Sequence, residues 1–192
     1  RERPERLERL EGRGAGPRRD PLPALLDFHR QLERRGIALV LLPVPGKSEI
    51  HPQQLVSSPA PERPLHNPSY ADFLRRLEEQ GVRVFDPSEV LFESARRGRA
   101  AYLATDTHWT SAAMQVVAAR LAAFLVTEGL VAPGSPGTYA ARALEVRGAG
   151  DVATMLRLPP ECALFPEESV HGAQVFDART CAQIDWIAGK TG

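Results

Sequence analysis

Asp106, His108 and Trp109 fall close together in the run YLATDTHWTSAAMQVVAARLAAFL, and the first two residue types can do chemistry as a pair. In extended backbone, residues two apart project to one side with Cα atoms roughly 6.5–7 Å apart. That spacing lets the Asp106 carboxylate meet the His108 imidazole, whereas a helix would splay them to different faces. A carboxylate bonded to one ring nitrogen fixes the tautomer and stabilises the imidazolium that forms when the other nitrogen takes a proton. This is two-thirds of a Ser-His-Asp relay. Other readings of the same residues stand beside it. Asp and Thr ahead of a helix are ordinary capping residues. Asp106 and His108 could also be two metal ligands, but His29, His51, His66 and His171 supply no recognisable third, so no metal and no cofactor are expected. Trp109 reads as a packing wedge under the loop, with a substrate platform as the alternative.

The elements that must hold these residues follow from periodicity. AYLA, residues 101–104, reads as a short strand with TDTH as the loop at its C-terminal end. Ser111 to Glu128 reads as a helix presenting Ala113, Val116, Val117, Leu121, Phe124 and Leu125 to the core, with Gly129 after it. Upstream, Asp20 and Pro21 open a helix that Gly36 closes in the left-handed conformation. The continuous apolar run Ile37–Val44 then reads as a strand buried on both faces. Asn67 and Pro68 open a second helix closed by Gly81, and VRVF makes a second strand. Asp86, Pro87 and Glu89 form a capping-box-like start for a third helix. Helices alternating with short apolar strands predict an α/β domain on a mostly parallel sheet. The Pro- and Ser-rich stretch between Lys47 and Pro68 follows a strand's C-terminal end, where sites collect in such sheets. Residues 129–192 are less regular and read as an insertion or an edge hairpin, with ARALEVRG as a strand and GDVATMLRLPP as a short helix.

Composition bounds the rest. At 192 residues with 43% hydrophobic content the chain can bury one sizeable core, and 24 basic residues cancel 24 acidic ones, which argues against a nucleic-acid partner. No apolar run approaches the ~20 residues of a membrane span. The opening RERPERLERLEGRGAGPRRD is almost all charge, Gly and Pro, so residues 1–19 read as a linker or solvated helix ahead of a domain spanning 20–192. Cys162 and Cys181 lack metal-site spacing; a disulfide or two free thiols are both compatible with the sequence. The terminal GKT is not a phosphate loop, because the position that would need Gly is Ile184.

YLATDTHWT resembles the D-x-H-W signature of the alginate O-acetyltransferase family (AlgX and AlgJ), whose domain is SGNH hydrolase-like. RGIALVLLPVPGKSEIHPQQL resembles that family's "rGi-lvvvPvPdK" strand and loop, VRVFDPSEVL its strand-Asp-helix step, and GAGDVATMLRLP its GD-x-x-x-x-L segment. The similarity runs from about Leu22 to Phe165 in the family's order. It implies a flavodoxin-like three-layer α/β/α sandwich and acetyl transfer to an exopolysaccharide in the periplasm or another extracytoplasmic space. Asp106 would orient and His108 would act as base, then acid, for a serine that carries the acetyl group. The partners implied are an acetyl donor, a polysaccharide acceptor and other exopolysaccharide-assembly proteins. Lys47 and Tyr102 sit in matching segments as pocket candidates with Trp109; a solvated Lys and a half-buried Tyr are the plainer readings.

The family's serine lies in a G-D-S block downstream of D-x-H-W, and no such block occurs here. Ser48, Ser57, Ser58, Ser111, Ser135 and Ser169 lack the Gly-Asp context, and the single Gly-Asp, Gly150-Asp151, is followed by Val152. The sequence therefore reads as a piece of a longer protein, its sheet incomplete at the C-terminus. Two further readings stay open: a non-catalytic polysaccharide-binding or scaffold module, and a metal-dependent hydrolase using Asp106 and His108.

Overall fold

The computed structural model describes residues 20–55, 61–134, 137–159 and 164–183. The expected linker over 1–19, Ser57, Ser58, Ser135 and Cys162 lie outside those residues, and with Cys162 the disulfide question does too. In chain order the elements are α1 (Leu22–Glu33), β1 (Val40–Leu41), the single turn α2 (Lys47–Ile50) and a 3-10 turn at Pro52–Gln54. They continue with α3 (Tyr70–Glu78), β2 (Arg83–Val84), α4 (Ser88–Arg96), α5 (Ser111–Thr127), β3 (Tyr139–Gly148), α6 (Asp151–Met155) and β4 (Glu168–Asp177).

The helices start and stop for the reasons the sequence offers. The Asp20 carboxylate accepts the Leu22 N–H at 3.0 Å, and Gly36 beyond the end of α1 has φ +69°. Asp86 takes the Ser88 N–H at 2.9 Å and so satisfies an orphan donor of α4. The Thr110 hydroxyl accepts the Ala113 N–H at 3.2 Å as the N-cap of α5, a contact typically worth about 1 kcal/mol.

Two compact units form. One comprises Arg1–Leu41 with Ser69–Val84, the other Leu42–Pro68 with Phe85–Gly192. In the first, β1 and β2 pair in parallel with Val40 opposite Arg83 and Leu41 opposite Val84. Leu22, Leu77 and Val82 are buried there, with Leu25, Leu39 and Phe73 packed on them. In the second, Ile50, Leu91, Phe92, Ala101, Tyr102, Ala113 and Val117 form the core, and Trp109 packs against it. The residues of α5 expected to face inward do so: Ala113 and Val117 are buried and the other four are half-buried.

The sheet departs from the expected one. Among the described residues the parallel pairing is confined to β1 and β2, and the longer sheet is the antiparallel ribbon of β3 and β4, ten residues each. The apolar run 37–44 forms two strand residues rather than eight, with Ile37 and Val44 at 50% and 67% exposure. An unbroken apolar run reports how much the segment can bury but not how many neighbours it has to pair with. AYLA is likewise no strand. Tyr102 makes an isolated antiparallel bridge to Trp109, and residues 103–108 turn between them. A mostly parallel sheet is thus not what these residues build; the α/β character is.

Candidate active site

The Tyr102–Trp109 bridge closes a loop whose two ends are fastened to the second unit's core. The Leu103 N–H donates to the His108 carbonyl at 3.1 Å and the Thr110 N–H to the Ala101 carbonyl at 2.9 Å. Tyr102 is 5% exposed and its hydroxyl donates to the Pro45 carbonyl. Burial pushes its phenol up. The pocket reading therefore does not hold for Tyr102, whose polar end is spoken for inside the core, and the packing reading of Trp109 matches its contacts.

At the apex, Asp106 Oδ1 accepts the His108 backbone N–H at 2.8 Å and lies 2.5 Å from His108 Nδ1. The contact arises from an Asx turn, in which a side-chain oxygen caps the N–H two residues on, and not from the extended backbone expected. The loop is curved, yet the spacing of two brings the pair together all the same. Asp106 Oδ2 accepts the Asp151 N–H at 2.9 Å. Burial works against the charge on Asp106, but the Asp151 and His108 N–H groups and the ring hold its carboxyl down from 3.8 to about 2. His108 is raised above 6.5, first by its hydrogen bond to Asp106, then by that carboxylate's charge, with Asp151 adding to it. Its side chain is 76% exposed, and among the described residues nothing bonds Nε2. A ring fixed at Nδ1 and open at Nε2 can accept a proton from an incoming alcohol.

Asp151 is a residue the sequence reading quoted but gave no task. Its carboxylate accepts the Thr107 N–H at 2.8 Å and the Thr107 hydroxyl at 2.5 Å, and its Oδ2 stands 3.7 Å from His108 Nδ1. Glu168 went unnoticed altogether. It accepts the N–H groups of Ala104 at 2.8 Å and Thr105 at 2.7 Å, and the Thr105 hydroxyl at 2.6 Å. Lys47 reaches the loop from the opposite chemical side, donating to the carbonyls of Leu103 at 2.5 Å, Ala104 at 2.9 Å and Asp106 at 3.2 Å. Its half-buried ammonium is thus engaged by the loop's backbone.

One ligand atom each from Asp106, His108 and Asp151 lie within 4.8 Å of one another, so these three could hold a cation. The third partner missing among the histidines is thus an aspartate. Both carboxylates, however, already accept backbone or hydroxyl donors with each of their oxygens, which suits an orienting task better than ligation. No serine among the described residues bonds His108. A cleft of about 320 Å³ opens beside the loop between the starts of α5 and β4, with Leu103, Thr110, Gln115, Ser169 and His171 among its walls.

Gly150 explains how Asp151 gets so close. A Cβ at this position would fall 2.6 Å from Thr105 Oγ1 and still nearer the Thr105 carbonyl, well inside contact distance of backbone that cannot step aside. Gly150→Ala is expected to lose about 1–3 kcal/mol of stability in urea unfolding, the ordinary range for overpacking. It should also release the Thr107 amide to faster hydrogen exchange, since Asp151 is drawn away with it.

The comparisons agree in one direction. A family profile described as "SGNH hydrolase-like domain, acetyltransferase AlgX" matches residues 5–183. The "Probable alginate O-acetylase AlgJ" of Pseudomonas aeruginosa is 37% identical over 98 residues, 49% of this chain and 23% of that protein. The protein of the same description from Pseudomonas syringae pv. tomato is 29% identical over 142 residues, 73% of this chain and 35% of its own length. The chain thus spans about a quarter to a third of these relatives. Among solved structures, the O-acetyltransferase domain of Pseudomonas putida AlgJ superposes with a TM-score of 0.65 at 24% identity, covering 80% of this chain and 54% of that one. That likeness shows a shared SGNH hydrolase-like fold.

Proposed function

The chain belongs to the SGNH hydrolase-like domain family of the AlgX acetyltransferase, and from that premise we propose that it carries the acid–base half of an O-acetyltransferase site acting on an exopolysaccharide. The observation that carries the reading is the Asp106–His108 contact at 2.5 Å, with Nδ1 engaged and Nε2 open. Asp106 keeps the ring oriented and His108 does the proton work. The nucleophile is a serine supplied from sequence beyond the residues described here. His108 Nε2 takes the serine proton as the oxygen attacks the donor's acetyl carbonyl, then returns it to the departing donor group. In the second step a sugar hydroxyl attacks the acetyl-serine, gives its proton to Nε2, and the serine oxygen recovers that proton as it leaves. Splitting the transfer gives each step a lower barrier. The 320 Å³ cleft beside the loop is of a size to receive a small part of a donor or a sugar unit. In this reading the setting is periplasmic or otherwise extracytoplasmic, in keeping with the likeness to AlgJ. No helix among the described residues is long and apolar enough to cross a membrane.

The experiment is acetyl transfer from an activated acetyl ester to polysaccharide fragments, run on the 192-residue chain and on its full reading frame. Negligible turnover by the chain and acetylated product with a trapped acetyl-serine from the full frame are expected. Binding of fragments without turnover in both would favour a scaffold. Activity restored only by added zinc or manganese would favour the metal reading.

A further inference from the structure

The loop that presents Asp106 and His108 has almost no regular structure of its own, and its peptide groups must find partners elsewhere. They find them in a sorted way. The N–H groups of Ala104 and Thr105 go to the Glu168 carboxylate, and the carbonyls of Leu103, Ala104 and Asp106 go to the Lys47 ammonium. The Ala104 residue is held at both ends, its N–H by the anion and its C=O by the cation. All three ammonium protons of Lys47 and both oxygens of Glu168 are used. Bonds to charged partners are roughly twice as strong as neutral ones. Lys47 sits on the first turn of α2, whose far end is fixed by the fully buried Ile50, and Glu168 opens β4 opposite Gly148. Each clamp residue is therefore anchored by an element remote in sequence from the loop.

We infer that Lys47 and Glu168 are positioning residues: a paired cation and anion that clasp residues 103–106 and so fix the Asx turn in which Asp106 meets His108. The inference rests on reading His108 as the base, but its test reads the imidazole itself. The charged groups acting on the ring are Asp106 on its own loop and Asp151 on α6, while Glu168 on β4 and Lys47 on α2 bond the backbone of the loop that carries it. Removing Lys47 separates positioning from mere charge. Loss of a nearby positive charge by itself would raise the His108 titration midpoint. Loosening the turn would lower it, because the hydrogen bond to Asp106 is the largest cause of its elevation.

The experiment is an NMR titration of the His108 ring in the 192-residue chain for wild type, Lys47→Met and Lys47→Arg, with amide exchange at Ala104 and Thr105 for Glu168→Gln. A lower midpoint in Lys47→Met, recovered in part by Lys47→Arg, is expected. Gln has one acceptor oxygen where Glu168 uses two, so exchange at Ala104 and Thr105 should accelerate about tenfold or more. A midpoint that rises or stays put in Lys47→Met overturns the clamp. Should that variant not fold, unchanged exchange in Glu168→Gln overturns it and local acceleration upholds it. Failure of the clamp leaves the base reading intact, and absence of acetyl transfer leaves the clamp intact.

Discussion

Acetyl transfer by the full reading frame is expected to fall by roughly 10⁴–10⁶-fold when His108 is replaced by alanine. The size follows from the ring's place in the relay. A serine hydroxyl at neutral pH is a poor nucleophile unless a base removes its proton as it attacks, and the same ring must return the proton to the departing group. Alanine deletes both halves of that cycle, leaving only what binding and oxyanion donors provide. The structural cost should be small by comparison, because the ring is 76% exposed and packs on no core residue. Turnover is to be measured with an activated acetyl ester, beside the thermal unfolding midpoint of the same variant. A collapse in rate with an almost unchanged midpoint supports the base. A variant that keeps more than a few per cent of wild-type turnover removes His108 from the mechanism and moves the search to another residue.

The Asp106–His108 contact follows from the spacing of two, whichever backbone carries it. A separation of two brings side chains together in a strand, but it also brings an Asp oxygen onto the N–H two residues on in an Asx turn. The sequence specifies the spacing and leaves the backbone open. Asp151 was visible as half of a Gly-Asp, yet what gives it a task is that Gly150 lets the chain pass against Thr105, a contact across 45 positions. Glu168 had no signal at all. It is one glutamate in a weakly patterned tract, and its importance lies in two amides some 60 positions away. Lys47 stood in a recognisable segment but looked like any lysine in a turn, because nothing local reveals which carbonyls a long side chain will reach.

The fold divides along the same line. Helix α5 could be read to within a residue, since its apolar positions repeat at helical spacing and Thr110 caps it from within the same segment. The capping of α4 by Asp86 and the left-handed Gly36 are equally local. Strands fared worse. Ile37–Val44 and AYLA are apolar enough for sheet, but pairing is settled by partners far off in the chain, and the partners present extend only two residues of the first run and one of the second. The ribbon's second strand, ESVHGAQVFD, could be read only as part of an insertion or edge hairpin, because its half-buried face shows only weak alternation.

The conservative change Asp106→Asn should prove nearly as damaging as removing the imidazole, with a loss of about 10⁴-fold in turnover. The carboxylate takes three donors: the His108 N–H and Nδ1–H on one oxygen, the Asp151 N–H on the other. Asparagine has a single acceptor oxygen, so its amide nitrogen must face either the ring or the Asp151 N–H. Facing the ring, it favours the tautomer whose proton sits on Nε2, where the serine's proton has to go. Facing Asp151, it sets donor against donor and loosens α6. The pH dependence tells the two components apart. Asp106 titrates at about 2 in the folded chain against an ordinary 3.8, so its stabilisation is fully present above about pH 4 and is lost as pH falls from there towards 2. His108 is raised, so its contribution is present below 6.5 and fades as pH climbs through its higher folded value. In urea unfolding across pH, the variant should therefore lose stability relative to wild type between pH 4 and 6.5 and converge with it near pH 2. Its rate should meanwhile stay low even at alkaline pH, above the raised midpoint of the His108 ring. Recovery of wild-type turnover at alkaline pH would mean that Asp106 serves only to set the ring's charge, and would withdraw its orienting role.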